Sequence, residues 1–165
     1  MMRSFHESMV EYKKQLDKGD IQKAYQGLMD YFGDLRSHFK NKYPDYAVSG
    51  SIYYGYMDMT YFPIIPGSLS SRNLKIALVF VHETFRFEVW LAAKNKTIQT
   101  KYMNLFRDNG WDQSNISEST KGVDSILDSV LISNPDFSDL DSLTIQIERG
   151  TVEFIKDVEG FLSTF

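Results

Sequence analysis

The chain has 165 residues, a net charge of −4 and no cysteine. A domain of this length buries enough surface to fold without a metal or a disulfide. The lack of cysteine excludes disulfides, thiolate nucleophiles and cysteine metal sites, and it fits a reducing compartment. No signal peptide is evident, and no apolar run is long enough to span a membrane. We therefore expect a cytoplasmic protein with a single domain over residues 1–165.

The charge is unevenly distributed along the chain. Residues 1–111 contain 15 Lys and Arg against 11 Asp and Glu, whereas residues 112–165 contain 3 against 11. Binding to nucleic acid depends on clustered positive charge, so the acidic C-terminal third argues against a nucleic-acid partner. We expect the two oppositely charged parts to neutralise each other in part.

Two helices are predicted at the N-terminus. Apolar residues recur at helical spacing from Phe5 to Leu16, and Gly19 ends this first helix. Asp20 is a suitable N-cap for the second helix, because its carboxylate can accept a hydrogen bond from a free backbone N–H. Since the link between the helices is short, we expect an antiparallel helical hairpin over residues 4–42.

Four strands are predicted within a sheet-forming core at residues 48–132. The predicted strands are residues 51–62, 74–81, 85–92 and 125–132. The first is rich in tyrosine, which has a high β-propensity. A segment rich in Pro, Gly and Ser follows it at residues 63–71 and is predicted to be a loop.

The second and third strands form a predicted hairpin with one apolar face. A slip of one residue would turn that whole face towards water, so the pattern restricts the register. We expect Phe80 opposite Phe85, Leu78 opposite Phe87 and Ile76 opposite Val89. The sequence at the turn lacks the Asn-Gly or Asp-Gly pair of a two-residue loop, so a wider loop remains open.

The remaining elements complete an α+β pattern. A helix is predicted at residues 96–108, a polar loop at 111–122 and a last helix at 139–162, with a kink or break at Gly150 as an open alternative. The order α-α-β-β-β-α-β-α favours an α+β fold with a mainly antiparallel four-stranded sheet packed with helices.

The sequence contains no diagnostic catalytic or cofactor motif. His6, His38 and His82 have no metal-binding spacing, and the glycine-rich phosphate motifs and the nucleophile elbow do not occur. We therefore assign no catalytic residue, no metal ligand and no cofactor.

A polar strip in the apolar hairpin is the best candidate for a binding site. Arg86, Glu88 and Trp90 share one strand face, so Arg86 is available for an anionic group and Trp90 for stacking on a ring. The candidate ligand-binding residues are Arg86, Glu88, Trp90, Tyr54, Tyr56 and Asp58. The alternative is purely structural, with an ion pair between Arg86 and Glu88 beside a packed Trp90.

A nuclease is the second functional hypothesis. The order of elements loosely resembles the core of restriction-endonuclease-like enzymes, which bind Mg²⁺ through an Asp on one strand and an E-x-K motif on the next. Asp58, Glu83 and Glu88 are the carboxylates that would have to converge. Trp90 stands where the motif requires Lys, so such a site would be degenerate or migrated, with Lys94 as a substitute.

Several segments resemble a family of small, stand-alone prokaryotic proteins of unknown function. These segments are residues 19–25, 43–62, 74–102 and 122–127. The resemblance implies a single-domain cytoplasmic protein and supplies no catalytic residues. Our leading hypothesis is a non-catalytic binding or interaction module, whose partner is a small molecule or a protein. A homodimer that buries the aromatic surface is a further possibility.

Overall fold

The computed structural model describes residues 2–48, 50–118 and 125–165. The helices are α1 (Phe5–Lys18), α2 (Asp20–Lys42), α3 (Gly67–Ser70), α4 (Lys96–Asp108) and α5 (Leu140–Leu162). The strands are β1 (Tyr46–Val48), β2 (Met59–Pro66), β3 (Leu74–Val81), β4 (Arg86–Ala93), β5 (Asn115–Ile116) and β6 (Ser125–Ser133). The α+β prediction is confirmed, but the sheet of the described residues has six strands and not four. Of the predicted loop at 111–122, residues 119–122 lie outside the described residues.

The chain divides into two compact units, Met1–Leu35 and Arg36–Phe165. In the first unit, α1 begins with a capping box between Ser4 and Glu7 and ends at Gly19, which has a φ of 82°. No residue of α1 is buried, and Phe5 is 82% exposed. The apolar stripe of α1 is therefore exposed from Phe5 to Tyr12 and only partly buried at Leu16. The single domain and the helical hairpin remain predictions.

The second unit contains one antiparallel sheet with the strand order β1-β2-β3-β4-β6-β5. The short strands β1 and β5 form its edges, which limits the row of backbone groups available for pairing with other chains. Strands β2, β3 and β4, of eight residues each, are paired as neighbours in chain order. In this strand order, β3 and β4 lie in the middle of the sheet.

The first predicted strand was placed too early in the sequence. The segment 51–62 is extended as a strand only from Met59, because Gly55 and Met57 have φ values of 74° and 63° that interrupt an extended chain. The strand instead continues through Pro63 to Pro66, within the segment predicted to be a loop. The ladder between β1 and β2 ends at the pair Val48 and Ile64. Pro63 lies one residue before this ladder, so its lack of a backbone N–H costs no hydrogen bond to β1.

The hairpin register differs from the prediction by two residues. Phe80 pairs with Phe87, Leu78 with Val89 and Ile76 with Leu91. The turn has four residues, His82 to Phe85, and Phe85 has a φ of 54°, so it belongs to the turn and not to β4. A shift of two residues preserves the side-chain alternation, and the apolar face is therefore the one that we predicted.

One face of the sheet, called the inner face, forms the core of this unit. Its side chains are fully buried at Phe62, Ile64, Ile76, Leu78, Phe80, Phe87, Val89 and Leu91. The last turns of α2 reach this face, because the ring of Phe39 lies 6.4 Å from that of Phe62. Glu148 joins the same turns to α5 through bonds to His38 Nε2 at 2.6 Å and Lys42 Nζ at 2.9 Å.

Helices α4 and α5 lie side by side, since the rings of Phe106 and Phe161 are stacked with centroids 4.9 Å apart. Helix α5 runs without a break through Gly150. A Cβ atom at Gly150 would lie 2.7 Å from the Leu131 side chain of β6. Gly150 therefore permits close contact between the helix and the sheet and does not mark a kink.

The two glycines of α5 provide a test of this contact. Alanine is favoured over glycine in a helix by about 1 kcal/mol, and Gly160 has open space around it. We expect Gly160→Ala to raise the free energy of unfolding by roughly 0.5–1 kcal/mol. The free energy of unfolding of Gly150→Ala should be about 1 kcal/mol lower than that of Gly160→Ala, because the Leu131 side chain must move. Urea unfolding measures both variants, and equal stabilisation by the two would contradict the contact.

Candidate functional site

The opposite face of the sheet, called the outer face, carries the predicted polar strip. The strand pairs place Met59, Val81 and Arg86 in one row, Tyr61, Val79, Glu88 and Val130 in a second, and Ala77, Trp90 and Asp128 in a third. Met59, Tyr61, Trp90 and Asp128 are partly exposed, and Val130 is 45% exposed. Ala77 and Val79 on the middle strand are buried, so the outer face is a partly open surface of apolar and charged side chains around a buried centre.

The carboxylate of Glu88 organises the strip. Arg86 Nε donates to Glu88 Oε2 at 2.7 Å, and Trp90 Nε1 donates to Glu88 Oε1 at 2.9 Å. The Glu88 side chain is only 8% exposed, whereas that of Arg86 is 37% exposed. A buried carboxylate requires such partners, because an unpaired buried charge is costly. The structure therefore brings Arg86, Glu88 and Trp90 together as one hydrogen-bonded group. The structural alternative included the ion pair between Arg86 and Glu88 but not the hydrogen bond from Trp90.

Asp128 adds a second carboxyl group that our sequence analysis did not select. It lies opposite Trp90 on β6, and its Oδ2 accepts a hydrogen bond of 3.0 Å from Asn115 Nδ2. Burial raises the pKa of the Asp128 carboxyl above its ordinary value, and the nearby charge of Glu88 raises it further. The only sequence signal for this residue was a polar position within an otherwise apolar strand. The pairing of β6 with β4 was needed to place it in the strip.

Tyr54, Tyr56 and Asp58 lie in the loop before β2, at the end of the sheet where Arg86 also lies. The Asp58 carboxylate accepts a 2.8 Å hydrogen bond from the backbone N–H of Tyr56, and backbone hydrogen bonds lower the pKa of Asp58. Thr60 Oγ1 donates to the carbonyl of Tyr54 at 2.7 Å. These bonds fix the loop while Tyr56 stays 93% exposed. Strand β3 separates this group from Arg86, Glu88 and Trp90.

The carboxylates of the nuclease hypothesis belong to three different surroundings. Glu88 is held by the strip, Glu83 is exposed in the turn after β3, and the Asp58 carboxylate binds its own loop. In the described ranges, no three His, Asp or Glu side chains lie close enough to share a metal ion. The geometry therefore gives the two-carboxylate metal mechanism no support.

Comparison with protein families places the chain in a group without an assigned activity. The model of a domain of unknown function, DUF7000, matches residues 5–162. The chain belongs to the DUF7000 family. The resemblance to a family of unknown function is thereby confirmed over nearly the whole chain.

Comparisons with curated proteins and with solved structures give no match. The DUF7000 family therefore brings no ligand or catalytic residue to this chain, and the nuclease hypothesis has no support from relatives. Among the helices that the structure describes, none is both long enough and apolar enough to cross a membrane.

Glu88→Gln tests the hydrogen-bonded group of the strip. A Gln side chain would turn its NH₂ group towards either Arg86 or Trp90, both of which are donors, so one bond must be lost. We expect the free energy of unfolding to fall by about 2 kcal/mol. Glu83→Gln is the matched control at an exposed position and should change it by less than about 0.5 kcal/mol. Chemical denaturation that finds the two variants equally stable would contradict the role of Glu88.

Gly55→Ala tests the rigidity of the tyrosine-containing loop. Gly55 has a φ of 74°, and a Cβ atom there would lie 2.1 Å from the carbonyl oxygen of Met59. Gly110 has a similar φ of 77° but open space, so Gly110→Ala isolates the cost of the left-handed backbone, about 1 kcal/mol. We expect Gly55→Ala to destabilise the protein by at least about 1 kcal/mol more than Gly110→Ala in thermal unfolding. Equal losses would show that the loop is not held against β2.

Proposed function

We propose that this protein is a non-catalytic interaction module that binds a protein partner through the outer face of its sheet. The proposal depends mainly on the fixed Arg86–Glu88–Trp90 group at a partly exposed surface. Tyr, Trp, Met and Arg are the residue types enriched at protein interfaces, and Met59, Tyr61, Arg86 and Trp90 represent all four on this face.

The Glu88 carboxylate prepares two side chains for binding before a partner arrives. Arginine and tryptophan side chains that are already fixed lose little conformational freedom on binding, so more of the contact energy appears as affinity. Arg86 donates from Nε to Glu88, and its two Nη groups make no hydrogen bond among the described residues. A guanidinium group with both Nη groups available can bind a carboxylate with two parallel hydrogen bonds.

The breadth of the outer face favours a protein surface over a small molecule. Its partly exposed side chains extend over three neighbouring strands and onto β6, from Met59 to Val130. Small-molecule sites are concave and enclose most of the ligand, whereas protein interfaces are broad with an apolar centre. We further propose that Tyr54 and Tyr56 extend the contact beyond the Arg86 end of the strip.

The absence of cysteine permits a direct test of this surface. A single cysteine at Val130 reports on the outer face, and a single cysteine at Ile145 on α5 is the matched control. Both positions carry aliphatic side chains, which are 45% and 54% exposed. Each variant is labelled with a maleimide, first as dilute purified protein and then in an extract of the cells that carry the native gene.

We expect the extract to slow the labelling of Val130→Cys at least about tenfold, because a bound partner at moderate affinity covers the face in most molecules. Labelling of Ile145→Cys should not change. Equal rates for Val130→Cys in dilute buffer and in extract would contradict the proposed interaction surface.

A further inference from the structure

Two charged groups on the outer face have donor or acceptor atoms that form no hydrogen bond with the described residues. Arg86 donates from Nε to Glu88, which leaves both Nη groups as donors. Asp128 accepts from Asn115 at Oδ2, which leaves Oδ1 as an acceptor. One group is positive and the other is negative, and both are on the same partly exposed surface.

These two groups are complementary to each other. The charge of Arg86 acts on the Asp128 carboxyl within the chain, but no hydrogen bond or ion pair joins the two among the described residues. Arg86 turns its Nε towards Glu88, and Asp128 faces Asn115. A two-fold symmetric dimer presents the same patch on both subunits, so that a residue contacts its complement and the complement makes the reciprocal contact. Under that symmetry, Arg86 of each copy meets Asp128 of the other. From this self-complementarity we propose that the protein occupying the outer face is a second copy of this chain.

The apolar residues of the outer face fit the same arrangement. Arg86 and Asp128 lie on either side of the row that contains Val79, Glu88 and Val130. A two-fold axis between the two charged groups would therefore pass close to this row. It would bring the Val130 side chains of the two copies together, because Val130 is the exposed valine of the row and Val79 is already buried within the chain. Trp90 lies next to Asp128, so it would cover the new ion pair and exclude water from it.

The sheet geometry permits this contact in the Arg36–Phe165 unit. The C-terminal turns of α2 and helix α5 lie against the inner face through Phe39 and Gly150, and α4 lies beside α5. Sheets that pack face to face lie about 10 Å apart and bury alternate side chains between them. Because the outer face alternates charged and apolar residues in register, two copies can bury Val130 and still pair their charges.

This inference rests on the proposed function, since it identifies the partner of the same surface. Sedimentation equilibrium of the purified full chain should give a mass of about twice 19.1 kDa at micromolar concentrations. Asp128→Arg places a like charge opposite Arg86 of the second copy and should weaken the dimer at least about tenfold. Asp45→Arg is the control, because Asp45 is exposed and lies in a turn before β1.

Asp128→Arg also removes the hydrogen bond from Asn115, so a second variant that keeps this bond is needed. Val130→Arg adds a bulky charge on β6, in the row between Arg86 and Asp128, without removing a described hydrogen bond, and it should also dissociate the dimer. Circular dichroism must show that both variants are folded. A monomeric wild-type protein, or a dimer that survives in folded forms of both variants, would overturn the inference.

The cysteine variants separate this result from a failure of the proposed function. If the partner is a second copy, purified Val130→Cys should become protected as its concentration rises, without extract. Protection that occurs only in extract would support the interaction surface but would show that its partner is not a second copy of this chain. No protection in either condition would overturn both proposals.

Discussion

The pairing of β3 with β4 is the constraint on which the rest of the structure depends. Successive side chains of a strand point to opposite faces, so the register decides which residues enter the core and which face outward. With Phe80 opposite Phe87, the inner face becomes a continuous apolar layer against which the helices of this unit pack. The same pairing places Arg86, Glu88 and Trp90 together on the outer face.

We propose that one carboxylate gives the polar strip both a structural and a recognition role. Glu88 is almost fully buried, and its two hydrogen bonds satisfy it without any ligand. Those bonds also hold Arg86 and Trp90 at fixed positions on an accessible surface, which is the arrangement that favours tight binding. The ion pair between Arg86 and Glu88 therefore explains how the strip is held together. The proposed interaction concerns the side chains that the strip offers to a partner.

The sequence predicted elements whose apolar pattern was strong and local. Helix α2, the β3–β4 hairpin face and α5 followed from side-chain periodicity, which responds directly to burial. The strand predicted for the tyrosine-rich segment began too early, because β-propensity says little about positive φ values at Gly55 and Met57. Asp128 joined the strip only through the pairing of distant strands, and no local pattern specifies which strand becomes the neighbour of β4.

The central claim is that the outer face is covered in the functional assembly. Trp111 is buried and Trp90 is partly exposed, so a Trp111→Phe variant leaves Trp90 as a single fluorescent reporter of that face. Iodide quenching of Trp90 can be measured from low to high micromolar protein and after addition of cell extract. The account predicts that quenching falls under at least one of these conditions. Quenching that stays at the dilute-protein value under both conditions would contradict it.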